Sequence, residues 1–156
     1  FKNLEEGNLM HYDKNKTKQT EKRCLDALLK YGDFKLSENE FSPFDIYGYT
    51  NNIKTIVEVK ERSEMWDRWY IEKQKIDNLR KLKHKTKDQI RIYLMIVVGN
   101  DGFLFKVDDI FQMGKIQRVR MNKQTSKDFP QSNIKIRKEI INFHHQLNLL
   151  KLKLND

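Results

Sequence analysis

The expected fold depends first on residues 53–60, which read Ile53-Lys54-Thr55-Ile56-Val57-Glu58-Val59-Lys60. This stretch is rich in β-branched residues, which favour a strand. Because side chains alternate between the two faces of a strand, the odd-numbered residues share one face that can pack on a core. Glu58 and Lys60 share the other face. A carboxylate and an ammonium therefore project side by side from a strand that is otherwise largely apolar.

A second predicted strand precedes this one and forms a hairpin with it. Residues 44–50 read as the first strand, and Asn51-Asn52 is a turn signal. If the turn has two residues, its register places Asp45 directly opposite Glu58, whereas a three-residue loop would break that register. Directly opposed residues have Cβ atoms about 4.5–5.5 Å apart on one face. We therefore expect Asp45, Glu58 and Lys60 to converge on one spot.

This arrangement predicts a particular metal chemistry. Two opposed carboxylates repel each other, so a shared proton or a bound cation must offset their charge. With no Cys or His nearby, their hard oxygen atoms suit Mg²⁺ or Mn²⁺ rather than Zn²⁺. Such an ion can activate water and stabilise a pentacovalent phosphate, and Lys60 can orient or deprotonate that water. The geometry therefore predicts a metal-dependent phosphodiesterase.

Further helices and strands are predicted on both sides of this hairpin. Residues 20–32 read as a helix with a threonine cap and a glycine after its end. Residues 66–83 have helical spacing. Residues 92–98 form a continuous apolar run, typical of a strand buried on both faces. We expect another strand over residues 115–123, and a strand followed by a helical turn in the tail.

Length and composition require no more than one domain. The chain has 156 residues, of which we read 1–19 as a polar lead-in and 20–156 as a single α/β domain with a mixed sheet flanked by helices. The single cysteine excludes a disulfide scaffold and a multi-cysteine zinc site. The longest apolar run is too short to span a bilayer. With no visible signal peptide, we expect a cytoplasmic protein without a membrane partner.

The formal net charge of +9 is unevenly distributed. Residues 1–60 are neutral, whereas residues 73–91 carry +6 and residues 115–138 carry +7. A cationic surface of this kind suits nucleic acid, although it also serves simply to solubilise a protein. The candidate phosphate contacts on these segments are Lys73, Lys75, Arg80, Lys81, Lys83, Arg118, Arg120 and Lys123.

The hairpin residues resemble the PD-(D/E)XK nuclease signature. Asp45, a spacer of twelve residues and then Glu58-Val59-Lys60 match its motif. The preceding helix, the hairpin, the following helix and the next strand, over about residues 20–107, resemble the α-β-β-β-α-β core of that superfamily. One departure is that Phe44 separates Pro43 from Asp45, whereas the motif's proline directly precedes its aspartate.

The resemblance implies a restriction-endonuclease-like fold and gives roles to the site residues. Asp45 and Glu58 would bind the metal together with the main-chain carbonyl of Val59. Glu21, on the first helix, would complete the acidic cluster, and Lys60 would serve the attacking water. The helix after the motif often adds a polar residue that faces the site. Its candidates here are Lys73 or Lys75 for a phosphate, and Glu72 or Gln74 nearer the metal.

The resemblance also implies a substrate. Small members of the superfamily include junction resolvases, phage nucleases and restriction-type enzymes. We therefore expect a Mg²⁺- or Mn²⁺-dependent endonuclease that cuts DNA in a structure-selective or non-specific way, with a homodimer and a phage origin as further expectations. The alternatives are an RNA endonuclease of the same fold and a catalytically silent nucleic-acid-binding module. The intact Asp-Glu-Lys set argues against silence.

Overall fold

The structure of the protein is a computed structural model that describes residues 14–39, 42–85, 89–122 and 135–155. Within these ranges the chain contains three helices, nine strands and a short 3-10 turn before the last strand. In chain order the elements are α1 (Lys14–Leu28), β1 (Asp33–Leu36), β2 (Ile46–Thr50), β3 (Ile53–Arg62), β4 (Arg68–Glu72), α2 (Lys73–Lys85), β5 (Ile90–Val98), β6 (Asp101–Lys106), α3 (Val107–Met113), β7 (Lys115–Asn122), β8 (Lys135–His144), a 3-10 turn (His145–Leu147) and β9 (Leu150–Lys153).

A six-stranded mixed sheet forms the centre of the fold, in the order β1-β2-β3-β5-β6-β9. β3 and β5 run parallel, and the other neighbouring strands are antiparallel. Parallel strands need a long crossover, and here the chain passes through β4 and α2 between them. A second sheet of three strands has the order β4-β8-β7. The predicted α/β class with a mixed central sheet is confirmed.

Both faces of the sheet are covered at its central strands, β3 and β5. On one face, Cys24 and Leu28 of α1 pack with Val57 of β3. On the other face, Ile56 packs with Ile76 of α2 and with apolar residues of α3 and the three-stranded sheet. The sequence interpretation assigned a core to one face of β3 only. The two cores also explain the apolar run of β5, whose alternate side chains enter opposite layers.

The hairpin forms in the predicted register. Ile46 pairs with Val57, and Thr50 pairs with Ile53 across the turn. Asn51 and Asn52 both have positive φ, at 51° and 64°, as a two-residue type I′ turn requires. Asparagine is among the non-glycine residues that enter this region most readily.

The helix predicted over residues 66–83 is wrong in its first part. Arg68–Glu72 forms strand β4, and α2 begins only at Lys73. Trp69 and Ile71 lie two positions apart, which suits one face of a strand, and both are buried in the core. β4 pairs along its length with β8. This pairing with a distant segment decides the conformation that local spacing left ambiguous.

The first helix differs from its prediction at both ends. α1 spans Lys14–Leu28, so it includes part of the predicted lead-in and Thr20 lies inside it rather than at its cap. The Thr20 hydroxyl instead donates to Oε1 of Glu61 at 3.3 Å. Gly32 lies beyond the helix without a positive φ. Its lack of a side chain matters because a Cβ there would lie 2.3 Å from the carbonyl oxygen of Tyr49.

The predictions for the C-terminal part are confirmed in outline. β7 covers most of the predicted strand at 115–123, and the tail contains β8 followed by a 3-10 turn. The structure adds β9, which pairs with β6 at the edge of the central sheet. In the described part of the chain, no helix combines the length and apolar character that crossing a membrane requires.

Candidate active site

Asp45 lies where β2 begins, and its carboxylate is fixed against the main chain of β3. The regular pairing of the two strands ends at Ile46 and Val57. The Asp45 N–H donates to the carbonyl oxygen of Val57 at 3.0 Å. Its Oδ2 accepts the N–H of Val59 at 2.7 Å. The predicted direct pairing of Asp45 with Glu58 is therefore wrong, because Asp45 bonds to Val57 and Val59 instead. Its side chain is held beside the segment of β3 that contains Glu58.

The same geometry gives a direction to the Val59 carbonyl. In an antiparallel pair, the N–H and C=O groups of one residue point toward the same neighbouring strand. Since the N–H of Val59 points to Asp45, its carbonyl faces that side as well. The β2–β3 pairing stops at Val57, so this carbonyl lies beyond the ladder. It is positioned to accept a ligand next to the Asp45 carboxylate.

Glu58 is a buried carboxylate, with only 3% of its surface exposed. It projects from β3 on the face that carries Ile56, and its Oε2 forms an ion pair with Nζ of Lys75. Burying a charged carboxylate is costly unless it is paired. Lys75 reaches it from the first turn of α2. This contact distinguishes Lys75 among the candidates that the sequence left open on this helix.

The neighbours of Lys75 have different partners. Oε1 of Glu72 accepts a bond from Lys138 of β8 at 3.1 Å. Lys73 pairs with Asp77 one helical turn later at 2.7 Å, and the bond to Asp77 raises the pKa of Lys73. The Gln74 amide donates to Asn78 in the same way. Of these residues, it is Lys75 that forms an ion pair with Glu58.

Lys60 and Glu21 complete the set of predicted catalytic residues. Lys60 lies two residues after Glu58, on the same face of β3, and is partly buried. Glu21 is 5% exposed and lies one turn before Cys24, on the face of α1 that packs on the sheet. α1 covers the opposite face of β3 from Glu58. Glu21 and Glu58 therefore approach β3 from different sides.

The environment of Cys24 locates the remaining carboxylates. Burial raises the pKa of the Cys24 thiol to about 12. Arg23 opposes this rise, whereas the negative charges of Asp45, Glu21 and Glu61 add to it. These three carboxylates therefore act on one buried thiol beneath α1. Asp45 therefore acts on Cys24 and is also bonded to Val59, the residue after Glu58.

The donors fit a divalent cation in their chemistry. The carboxylates of Asp45 and Glu58 and the carbonyl of Val59 are hard oxygen donors of the kind that Mg²⁺ and Mn²⁺ prefer. Among the described residues, no three Asp, Glu, His or Cys side chains already form a group that could hold a metal ion. Glu21 is thus not drawn into one such group with the other two.

Two of the predicted phosphate contacts on α2 serve its packing on α3. Arg80 and Lys83 both pair with Asp108, and the Arg80 guanidinium lies 3.6 Å from the centre of the Phe111 ring. Burial acts to raise the pKa of Asp108, but the bonds and charges of Lys83 and Arg80 hold it below its usual range. Lys81 is exposed on the same helix.

A basic surface lies on the β7–β8 ribbon, meaning strands Lys115–Asn122 and Lys135–His144. Arg118 and Arg120 are exposed on β7, and Arg120 lies directly opposite Arg137 of β8. A groove of about 480 Å³ lies between the ribbon and the first turn of α2, and its lining is of mixed charge: it includes Lys73, Arg118, Arg137 and Lys138 but also Glu72, Asp77 and Glu139. Arg137 was not among the predicted contacts, although it belongs to the same basic stretch. Lys123 lies outside the described residues.

The comparisons define the class of the fold. The mixed sheet between α1 and α2 is a restriction-endonuclease-like fold, as the sequence predicted. A solved structure similar to this chain is that of Hjc, a Holliday junction resolvase from the archaeal hyperthermophile Archaeoglobus fulgidus. The TM-score is 0.52 at 16% identity, over 88% of this chain and 91% of that one. No protein-family model matches the sequence, and the search of curated proteins finds no match.

Proposed function

We propose that this protein is a nuclease that uses Mg²⁺ or Mn²⁺ to hydrolyse phosphodiester bonds in DNA. The observation that carries the proposal is that the Asp45 carboxylate is held against β3 at the residue next to the buried Glu58. Asp45 is bonded to the main chain of Val59, and the buried Glu58 precedes that residue. The fold likeness to a Holliday junction resolvase supports an endonuclease that is structure-selective or non-specific. We also propose that it acts as a homodimer.

Each site residue has a role in this proposal. Asp45, Glu58 and the Val59 carbonyl would hold the ion, which when bound supplies a lowered pKa for water and positive charge beside the scissile phosphate. Lys60, from the same face of β3 as Glu58, orients the attacking water or accepts its proton. Glu21 contributes negative charge from the other side of β3. Asp45 keeps its orientation through its bond to Val59.

The DNA backbone would follow the exposed arginines of the β7–β8 ribbon and the groove beside it. Lys75 lies beside Glu58, and Lys73, two residues earlier, lines the groove that continues to Arg118 and Arg137. Because Arg120 and Arg137 are directly opposed like charges, an anion between them would relieve their repulsion. Contacts of this kind position the phosphates without reading the sequence.

Cleavage assays test the proposal directly. The protein is incubated with supercoiled, linear, four-way-junction and single-stranded DNA, and with RNA, in Mg²⁺, Mn²⁺ or EDTA. We expect metal-dependent cutting of DNA. Lys60→Ala should reduce it by about 10²-fold or more, since a general acid–base group contributes about 10²–10⁴. The matched control is Lys54→Ala, which alters an exposed lysine on the same face of β3 and should cut normally.

The other outcomes of these assays are equally informative. Cutting in EDTA, or full activity of Lys60→Ala, would contradict the proposed mechanism. Cutting of RNA alone would identify an RNA endonuclease of the same fold. Binding of DNA without cutting in any condition would identify a silent nucleic-acid-binding module. Light scattering of the purified protein tests the homodimer separately.

A further inference from the structure

We propose that Lys75 is the counter-ion of Glu58 in the metal-free protein and competes with the divalent cation for that carboxylate. Lys75 would thus set the metal concentration that the site requires. The inference rests on the proposed function, because it needs a metal to bind at Asp45 and Glu58. It adds a role for Lys75 in metal loading.

The burial of the two partners is unequal. The Glu58 side chain is 4% exposed, whereas that of Lys75 is 31% exposed. Glu58 is fixed on a central strand between β2 and β5, so it cannot turn to solvent without disrupting the sheet. Lys75 is a long flexible side chain on the first turn of a helix, and it can swing into water at little cost. Of the two, only Lys75 can readily leave the pair.

The charges make the competition unavoidable. A buried carboxylate needs a cation close to it, and Lys75 supplies one in the metal-free protein. A divalent ion bound to the same carboxylate would place two further positive charges within a few ångströms of the ammonium. Like charges at that separation repel strongly where water is excluded. Binding of the ion to that carboxylate would therefore weaken the ion pair, and the free energy of the ion pair opposes binding.

The test measures Mn²⁺ affinity by calorimetry in the absence of nucleic acid. Lys75→Met keeps the aliphatic stem and removes the charge, so we expect it to bind Mn²⁺ at least tenfold more tightly than the natural protein. Lys73→Met is the matched control, because it removes a lysine from the same turn that pairs with Asp77 instead, and its metal affinity should stay within twofold. Without metal, Lys75→Met should melt at a lower temperature, and Mn²⁺ should raise that temperature by more than in the natural protein.

The outcomes separate this inference from the proposed function. Unchanged or weaker Mn²⁺ affinity in Lys75→Met overturns the inference. Lys75→Gln serves in its place if the methionine variant does not fold, with the same expectation. Asp45→Asn should abolish the Mn²⁺ binding of the natural protein. If binding survives that change, the metal site itself is wrong and the proposed function fails with it. Binding that depends on Asp45 but not on Lys75 defeats the inference alone.

Discussion

Substitutions of Asp45 separate its structural role from its proposed role as a metal ligand. The carboxylate accepts the N–H of Val59 at 2.7 Å, and this bond is independent of any metal. Asp45→Asn keeps a side-chain oxygen that can accept the same N–H, but it removes the negative charge. Asp45→Ala removes both the acceptor and the charge. The two variants should therefore differ in stability and agree in activity.

The magnitude follows from the bond that is lost. A hydrogen bond to a charged group contributes about 1.5–3 kcal/mol, and a neutral one about 1 kcal/mol. In a domain of this size, 1 kcal/mol corresponds to a shift in Tm of about 2–4 °C. We therefore expect Asp45→Ala to melt about 3–12 °C below the natural protein, because the Val59 N–H loses its partner. Asp45→Asn keeps a neutral bond and loses about 0.5–2 kcal/mol, so it should melt about 1–8 °C below the natural protein and above Asp45→Ala.

Activity should respond differently. If Asp45 is a metal ligand, both variants lose an electrostatic contact that stabilises the transition state, and loss of one such contact reduces the rate by about 10²–10³-fold. Nicking of supercoiled DNA in Mg²⁺ measures activity, and thermal or urea unfolding measures stability. An Asp45→Asn protein that cuts at more than about a tenth of the natural rate would refute the metal role. An Asp45→Ala protein with unchanged stability would refute the bond to Val59.

Two further substitutions and one labelling experiment test other parts of the structure. The double substitution Arg120→Gln and Arg137→Gln should reduce the magnitude of the slope of log affinity against log salt by about 2, since each phosphate contact contributes about 0.9. Fluorescence anisotropy with duplex DNA at several salt concentrations measures this slope, and an unchanged slope would show that neither residue contacts a phosphate. Gly48→Ala should destabilise the fold by more than about 3 kcal/mol in urea unfolding, because its Cβ would lie 1.9 Å from the carbonyl oxygen of Asp33; natural stability would contradict that contact. Cys24 should resist Ellman's reagent at pH 8 until the protein unfolds, because burial raises the pKa of its thiol from 9.0 to about 12; rapid labelling of the native protein would show instead that the thiol is accessible. Since the folded thiol keeps its proton to a higher pH than the unfolded one, its contribution to stability should decline from about pH 9 upward.

The hairpin was predictable because its register depends on local chemistry. Asn51 and Asn52 tolerate positive φ, so a two-residue turn fits between the strands and leaves one pairing for the residues that follow. β4 was not predictable in the same way. The spacing of Trp69 and Ile71 is compatible with a strand or with a helix. Pairing with β8, where Trp69 lies opposite Phe143, decides in favour of the strand. Local pattern holds no information about so distant a partner.

The candidate site likewise contains residues that local sequence predicts and others that only tertiary contacts identify. Asp45, Glu58 and Lys60 could be proposed because strand alternation and hairpin register are short-range properties. The choice of Lys75 among the polar residues of α2 depended on where that helix begins and on how it meets β3. Both depend on tertiary contacts, namely the pairing of β4 with β8 and the packing of Ile76 in the core. The departure of Asp45 from the ladder likewise depends on its bond to Val59.

The charge distribution connects the two parts of the proposed mechanism. Glu58 is a buried anion that the fold neutralises with a lysine, and Arg120 and Arg137 are cations that the fold places against each other. Each arrangement is costly by itself, since buried carboxylates and opposed like charges both destabilise a protein. In the proposed function, a divalent ion would take the place of the lysine at Glu58, and a phosphate backbone would lie against the two arginines. The net charge of +9 alone would attract any polyanion, whereas these two arrangements give the proposal separate positions for the metal and for the phosphate.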